Sequence, residues 1–252
     1  MSSGSWISLQ QAHEALASGD GSGVRIAVLD SGIETSHPGL GSLVLKDDLA
    51  VISRGGRLKI EPGNGTDVYG HGTAVAGILH QEAPGAELGS IRVLGHFKES
   101  RAAVIREGVK QAARLGYHIL QCSFGAPPRS EDTLTYKSWL DAVYLRGIHV
   151  VAAGANTSFQ ATEWPAHFTS VIGVGADPQN RRTLQRQRGS LVELAIGGQE
   201  RSALWPGGQE REVIGSSFSA PRATALLAKL LSHYPDLSPA IAKSLLIALA
   251  EE

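Results

Sequence analysis

A three-layer α/β/α sandwich, with a mainly parallel, doubly wound central sheet, is the α/β fold that this sequence predicts. Three observations lead there. Short β-branched runs alternate with longer helical patterns along the chain. The short runs are apolar with few interruptions, which suits strands buried on both faces of a parallel sheet. Glycine is abundant, 30 residues of 252, and falls between the runs.

The predicted strands are 24–29, 88–94, 118–122, 147–152, 171–175 and 191–195. The predicted helices are 9–17, 71–80, 102–115, 134–146, 217–232 and 239–249. Pro239 follows Ser238, a first-turn proline behind a capping serine. No repeat or low-complexity linker divides the chain, so 1–252 reads as a single domain. In such folds the site gathers at the carboxyl ends of strands.

Composition narrows the function classes. Apolar residues make up 42% and charged residues 19%, ordinary for a globular protein. Lys plus Arg is 23 against 24 Asp plus Glu, which gives no basic surface for nucleic acid or an anionic membrane. No apolar run reaches the roughly 18 residues of a membrane helix. The start of the chain is small and polar, without an apolar signal core. Cys122 is the one cysteine, so no internal disulfide can form; it reads as a small buried filler.

Three motifs carry chemistry. In Ile26-Ala27-Val28-Leu29-Asp30-Ser31-Gly32-Ile33 an apolar strand ends on a carboxylate. Asp30 either caps a turn or holds a histidine tautomer. In Gly70-His71-Gly72-Thr73-Ala74-Val75-Ala76-Gly77-Ile78 a histidine between glycines opens a helix of small residues, where another backbone can approach closely. In Gly215-Ser216-Ser217-Phe218-Ser219-Ala220-Pro221 a serine opens an apolar helix. Ser217 is either a helix cap or a nucleophile helped by the helix dipole and neighbouring N–H groups.

Together the motifs, in the order Asp, His, Ser, resemble those of the subtilase family over nearly the whole chain. The Asp30 segment resembles V-A-V-[IL]-D-[ST]-G, the His71 segment G-H-G-T-x-V-A-G and the Ser217 segment G-T-S-[MF]-[AS]-x-P. Ser216 replaces the usual threonine and Ala74 a frequent second histidine. The resemblance implies a subtilisin-like fold and a serine endopeptidase with Asp30, His71 and Ser217 as its catalytic triad.

It implies more about the surroundings. Val150-Val151-Ala152-Ala153-Gly154-Ala155-Asn156 resembles V-A-A-[AS]-G-N with Gly154 and Ala155 transposed, making Asn156 the oxyanion donor. Cys122-Ser123-Phe124-Gly125-Ala126 resembles S-[LF]-G-[GS], the edge on which a peptide or protein substrate lies as an added strand. Ser123, Phe124, Gly125, Ala126 and Gly154 are thus expected on the substrate surface, with Gly95-His96-Phe97 on the substrate's other side. Glu163-Trp164-Pro165-Ala166 resembles G-Y-P-A, which sets Glu163 at the floor of the specificity pocket unless Phe159 fills it.

No metal or cofactor is expected. Gly39 stands where the family has a calcium-binding aspartate, and the chain before Ala83-Pro84-Gly85-Ala86 is short where secreted members carry a calcium loop. Asp47, Asp48 and Asp67 are expected as solvated surface carboxylates. With no signal core and no prosegment before Trp6, a cytoplasmic location is the expectation. Two other readings share the motifs: a peptide ligase or macrocyclase using the same acyl-enzyme, and a silent peptide-binding pseudoprotease.

Overall fold

The computed structural model describes residues 7–41 and 43–252. Residues 1–6, where no signal core or prosegment was read, lie outside it.

Seven strands form the parallel body of the sheet: β1 (Arg25–Asp30), β2 (Asp48–Arg54), β4 (Glu87–Arg92), β5 (Ile119–Cys122), β6 (His149–Ala153), β7 (Ile172–Ala176) and β9 (Leu194–Ile196). The antiparallel strands β3 (Arg57–Pro62) and β8 (Gln185–Arg186) close its two edges. The order is β3-β2-β4-β1-β5-β6-β7-β9-β8. The chain fills one side of β1 with β2, β3 and β4 and then crosses to the other with β5, β6 and β7, so the carboxyl end of β1 is the switch point where such folds bind ligands.

Strand alternation feeds two cores. Ile26 and Val28 of β1 point to one face, and Ala27 and Leu29 to the other. The first face packs α1 (Leu9–Ser18), α2 (His71–Glu82), α5 (Ser216–His233) and α6 (Pro239–Leu249) through Ala12, Leu79, Leu227 and Leu246. The second packs α3 (Ala102–Leu115) and α4 (Ser130–Tyr144) through Val109, Ala112, Trp139 and Leu140. The three layers predicted from the sequence are all present. Helix α5 runs through the first layer with Ala220, Ala223, Ala225 and Ala228 wholly buried, small residues that let it lie close to the sheet.

The predicted strands and helices all form, with shifted ends. Helix α4 starts at Ser130, four residues early, because Glu131 and Asp132 complement the positive end of its dipole. Two hairpins come in addition: β2–β3, and a separate pair of β10 (Gln199–Trp205) with β11 (Gln209–Ile214). No helix among the described residues is long and apolar enough to cross a membrane.

At the opposite end of the sheet His149 opens β6, only 2% exposed, with its Nδ1 unpaired. Burial, helped by nearby His118, pushes its pKa from 6.5 down to about 4, against a contact to the Leu237 backbone. The folded state therefore holds His149 neutral. Its contribution is fully present above pH 6.5 and is lost as pH falls toward about 4. The loss is about 3 kcal/mol. Urea titrations between pH 7 and 4 should show that decline, and His149→Phe should flatten it. An equally steep decline in the variant would contradict the assignment.

Candidate active site

Asp30 is the last residue of β1, 1% exposed, at the switch point. The Ser31 backbone N–H donates to its Oδ1 at 2.7 Å, fixing the carboxylate plane. His71 is the first residue of α2 and is buried. Its Nδ1 lies 2.9 Å from both Asp30 oxygens. A carboxylate only accepts, so Nδ1 carries the proton and Nε2 keeps its lone pair for base chemistry.

The small residues around His71 have the role expected of them. A Cβ on Gly72 would collide with the Gly32 carbonyl, so glycine lets the β1 loop pass directly behind the histidine. Asp67 corrects the expectation of a solvated carboxylate. It accepts from Ser31 Oγ, the Tyr69, Gly70 and Thr73 N–H groups and Thr73 Oγ1, at 2.7 to 2.9 Å. It thereby caps α2 and ties the His71 turn to the Asp30 loop. A carboxylate four residues before a glycine-flanked helix start was the available signal. Asp47 and Asp48 are likewise engaged, accepting from Tyr117 Oη at 2.8 Å and the Gly65 N–H at 2.6 Å.

Ser217 is the second residue of α5, partly buried at the same end of the sheet. Its neighbour Phe218 packs on the His71 ring, with centroids 5.3 Å apart, which brings the start of α5 against His71. The Ser217 hydroxyl donates to the Ser123 carbonyl at 3.2 Å. Ser216 donates its Oγ to the Gly154 carbonyl at 2.6 Å and its N–H to Asn156 Oδ1 at 2.8 Å. With Oδ1 occupied, the exposed Asn156 side chain has its Nδ2 left to donate toward an oxyanion.

The residues expected on the substrate surface differ in how they are placed. Gly125 is exposed, and among the described residues the backbones of Phe124 and Gly125 have no backbone partner, an open edge for an added strand. Ser123 lies at the base of this edge. Ala126 closes it by exchanging two backbone bonds with Trp164, at 2.9 and 2.8 Å. Gly154 departs from expectation. It is buried, its N–H given to the Val174 carbonyl at 2.8 Å and its own carbonyl accepting from Ser216, so it holds the Ser216–Ser217 turn rather than presenting a surface. The Gly95–Phe97 strip departs too. Both backbone groups of Gly95 and the Phe97 N–H are consumed in a turn with Lys98 and Glu99.

The Glu163 carboxylate lies against Gly125, in the space where a Cβ would stand. Burial pushes its pKa up, partly offset by His167. Phe159, the competing filler, packs its ring on Gly175 of β7. Beyond Asn156 a cavity of about 610 Å³ opens, lined in part by Thr157, Gln187 and Ser190.

The calcium ligands implied by the resemblance do not fit this chain. A Cβ at Gly39 would stand 2.5 Å from Leu204 Cδ2 and 3.2 Å from His37 Nδ1, so a side chain there would press on a leucine and a histidine that already accepts from the Gly39 N–H. Cys122 is buried, and burial raises its thiol pKa, as befits a filler.

The sequence profile of the Subtilase family matches residues 21–252. The chain belongs to the subtilase family. Subtilisin BL of Lederbergia lenta is 31% identical over 228 residues, covering 86% of this subtilase and 80% of that protein. Subtilisin DY of Bacillus licheniformis is 30% identical over 247 residues, covering 92% and 85%. M-protease of Shouchella clausii (strain KSM-K16) is 31% identical, but this chain spans only 56% of its length. Among solved structures, sphericase superposes with a TM-score of 0.72 at 28% identity, over 89% of this chain and 82% of that one. A cold-adapted subtilisin-like serine proteinase superposes at 0.73 with 22% identity, over 90% and 82%, a likeness of fold.

Proposed function

We propose that this subtilase is a serine endopeptidase that hydrolyses peptide bonds through an acyl-enzyme. The observation that carries the reading is the Asp30–His71 pair, 2.9 Å across and buried, beside a serine at a helix start. The substrate chain adds as a strand along Phe124 and Gly125. The Ser217 hydroxyl turns from the Ser123 carbonyl to His71 Nε2, which takes its proton as Oγ attacks the substrate carbonyl. Asp30 stabilises the imidazolium that results. Asn156 Nδ2 and the Ser217 N–H receive the oxyanion. His71 returns the proton to the leaving amine, and water then releases the acyl group by the same steps.

A fluorophosphonate probe tests this directly. One adduct, mapped to Ser217 by peptide mass spectrometry, is expected. Product analysis on a peptide library should return free carboxylates at the cut. An unlabelled Ser217 would instead mark a peptide-binding pseudoprotease. Products joined through a new amide would mark a ligase.

A further inference from the structure

We propose that Gln121 and Thr224 are positioning residues for the nucleophile, acting through the Ser123 hydroxyl. The inference rests on Ser217 being that nucleophile. It starts from an anomaly in the core. Gln121 sits inside the parallel sheet, between Val28 of β1 and Val151 of β6, and is 0% exposed. An uncharged amide in such a place must have partners.

Strand alternation turns Ile119 and Gln121 toward the layer of α5, and Leu120 and Cys122 away from it. Seven residues, two helical turns, separate Ser217 from Thr224, so both lie on one face of α5. Thr224, also 0% exposed, donates its hydroxyl to Gln121 Oε1. The amide Nε2 then faces Ser123 and donates to its Oγ at 2.7 Å. With that acceptor side occupied, the single Ser123 hydroxyl proton goes to the Ser217 carbonyl, 2.6 Å away.

The Ser217 carbonyl needs this donor. Its helical partner would be the N–H four residues on, and that residue is Pro221, which has none. The directed chain Thr224 to Gln121 to Ser123 therefore replaces a missing helix bond at the nucleophile itself. On its other side Ser217 is held through Ser216, by Gly154 and Asn156. The Thr224 hydroxyl decides which end of the amide faces Ser123, and so where the Ser123 proton points.

Thr224→Val keeps the shape and removes the hydroxyl. It is expected to lower kcat on the order of 10- to 100-fold, as small misplacements of a reacting group do. KM should stay as in wild type, because the open backbone edge of Phe124 and Gly125 makes no bond to Gln121 or Thr224. Thr224→Ser should restore kcat. The rate of fluorophosphonate labelling at Ser217 should follow kcat in both variants. Should Thr224→Val fail to fold, Gln121→Leu/Thr224→Val pairs two apolar groups and is expected to fold and remain slow. A folded variant labelled at the wild-type rate, with only its Tm lowered, overturns the proposal. A wild-type protein labelled away from Ser217 overturns the triad reading instead.

Discussion

Ser217→Ala is expected to lower kcat by about a million-fold. That magnitude was measured on dismantling the triad in subtilisin, a relative, and is carried over from it. The substitution removes one hydroxyl from a partly buried position whose bond to Ser123 is 3.2 Å long. Stability should therefore fall by only about 1 kcal/mol. Fold and activity are separable here, because α5 is anchored by its buried alanines and leucines rather than by its second residue. The stronger form of the prediction is non-additivity. In subtilisin the triad residues act as one unit, so His71→Ala added to Ser217→Ala should cost little more. Protein concentration from absorbance and initial rates on one peptide measure both. More than a few per cent of activity left in Ser217→Ala would remove Ser217 from the mechanism.

Specificity carries the second large effect. Cleavage after Arg or Lys should exceed cleavage after Leu or Phe in matched peptides, and Glu163→Gln should cost the basic substrates about 100-fold in kcat/KM. A buried charge deprived of its partner loses this much or more. The geometry favours the pairing: the carboxylate stands over Gly125 on the strand edge, with burial already raising its pKa. An arriving guanidinium or ammonium group supplies the counter-charge it lacks. Because the raised pKa marks Glu163 as a weaker acid, the preference should fade on acidification before that of a solvated carboxylate would. Equal or better rates for Leu and Phe would end the proposal, as would an undiminished preference for Arg in Glu163→Gln.

Elements that decide the fold were legible because they are buried. Ile26, Val28 and Leu29 in β1, or Val150 and Val151 in β6, leave an apolar signature that no exposed segment imitates. The hairpins escaped for the opposite reason. Nearly all of β3 and β11 is exposed, so their sequences answer to solvent and show little beyond the glycine pairs Gly55-Gly56 and Gly207-Gly208. The Asp30–His71 pairing was readable because these residues stand at element junctions with unusual flanks. Gln121 and Thr224 were not, since ordinary polar residues acquire their meaning only when β5 and α5 bring acceptors and donors together. For Gly154 the motif match gives proximity to the site but not which way its backbone faces.

One of those hairpins has a consequence for the protein's lifetime. The β2–β3 tip presents Arg54, Arg57 and Lys59 on an exposed edge, in the extended form a strand-adding protease accepts. With the specificity proposed for Glu163, neighbouring molecules would nick one another at this tip first. Self-digestion would then scale with the square of protein concentration, and replacing those three basic residues would lengthen its shelf life without touching the catalytic groups.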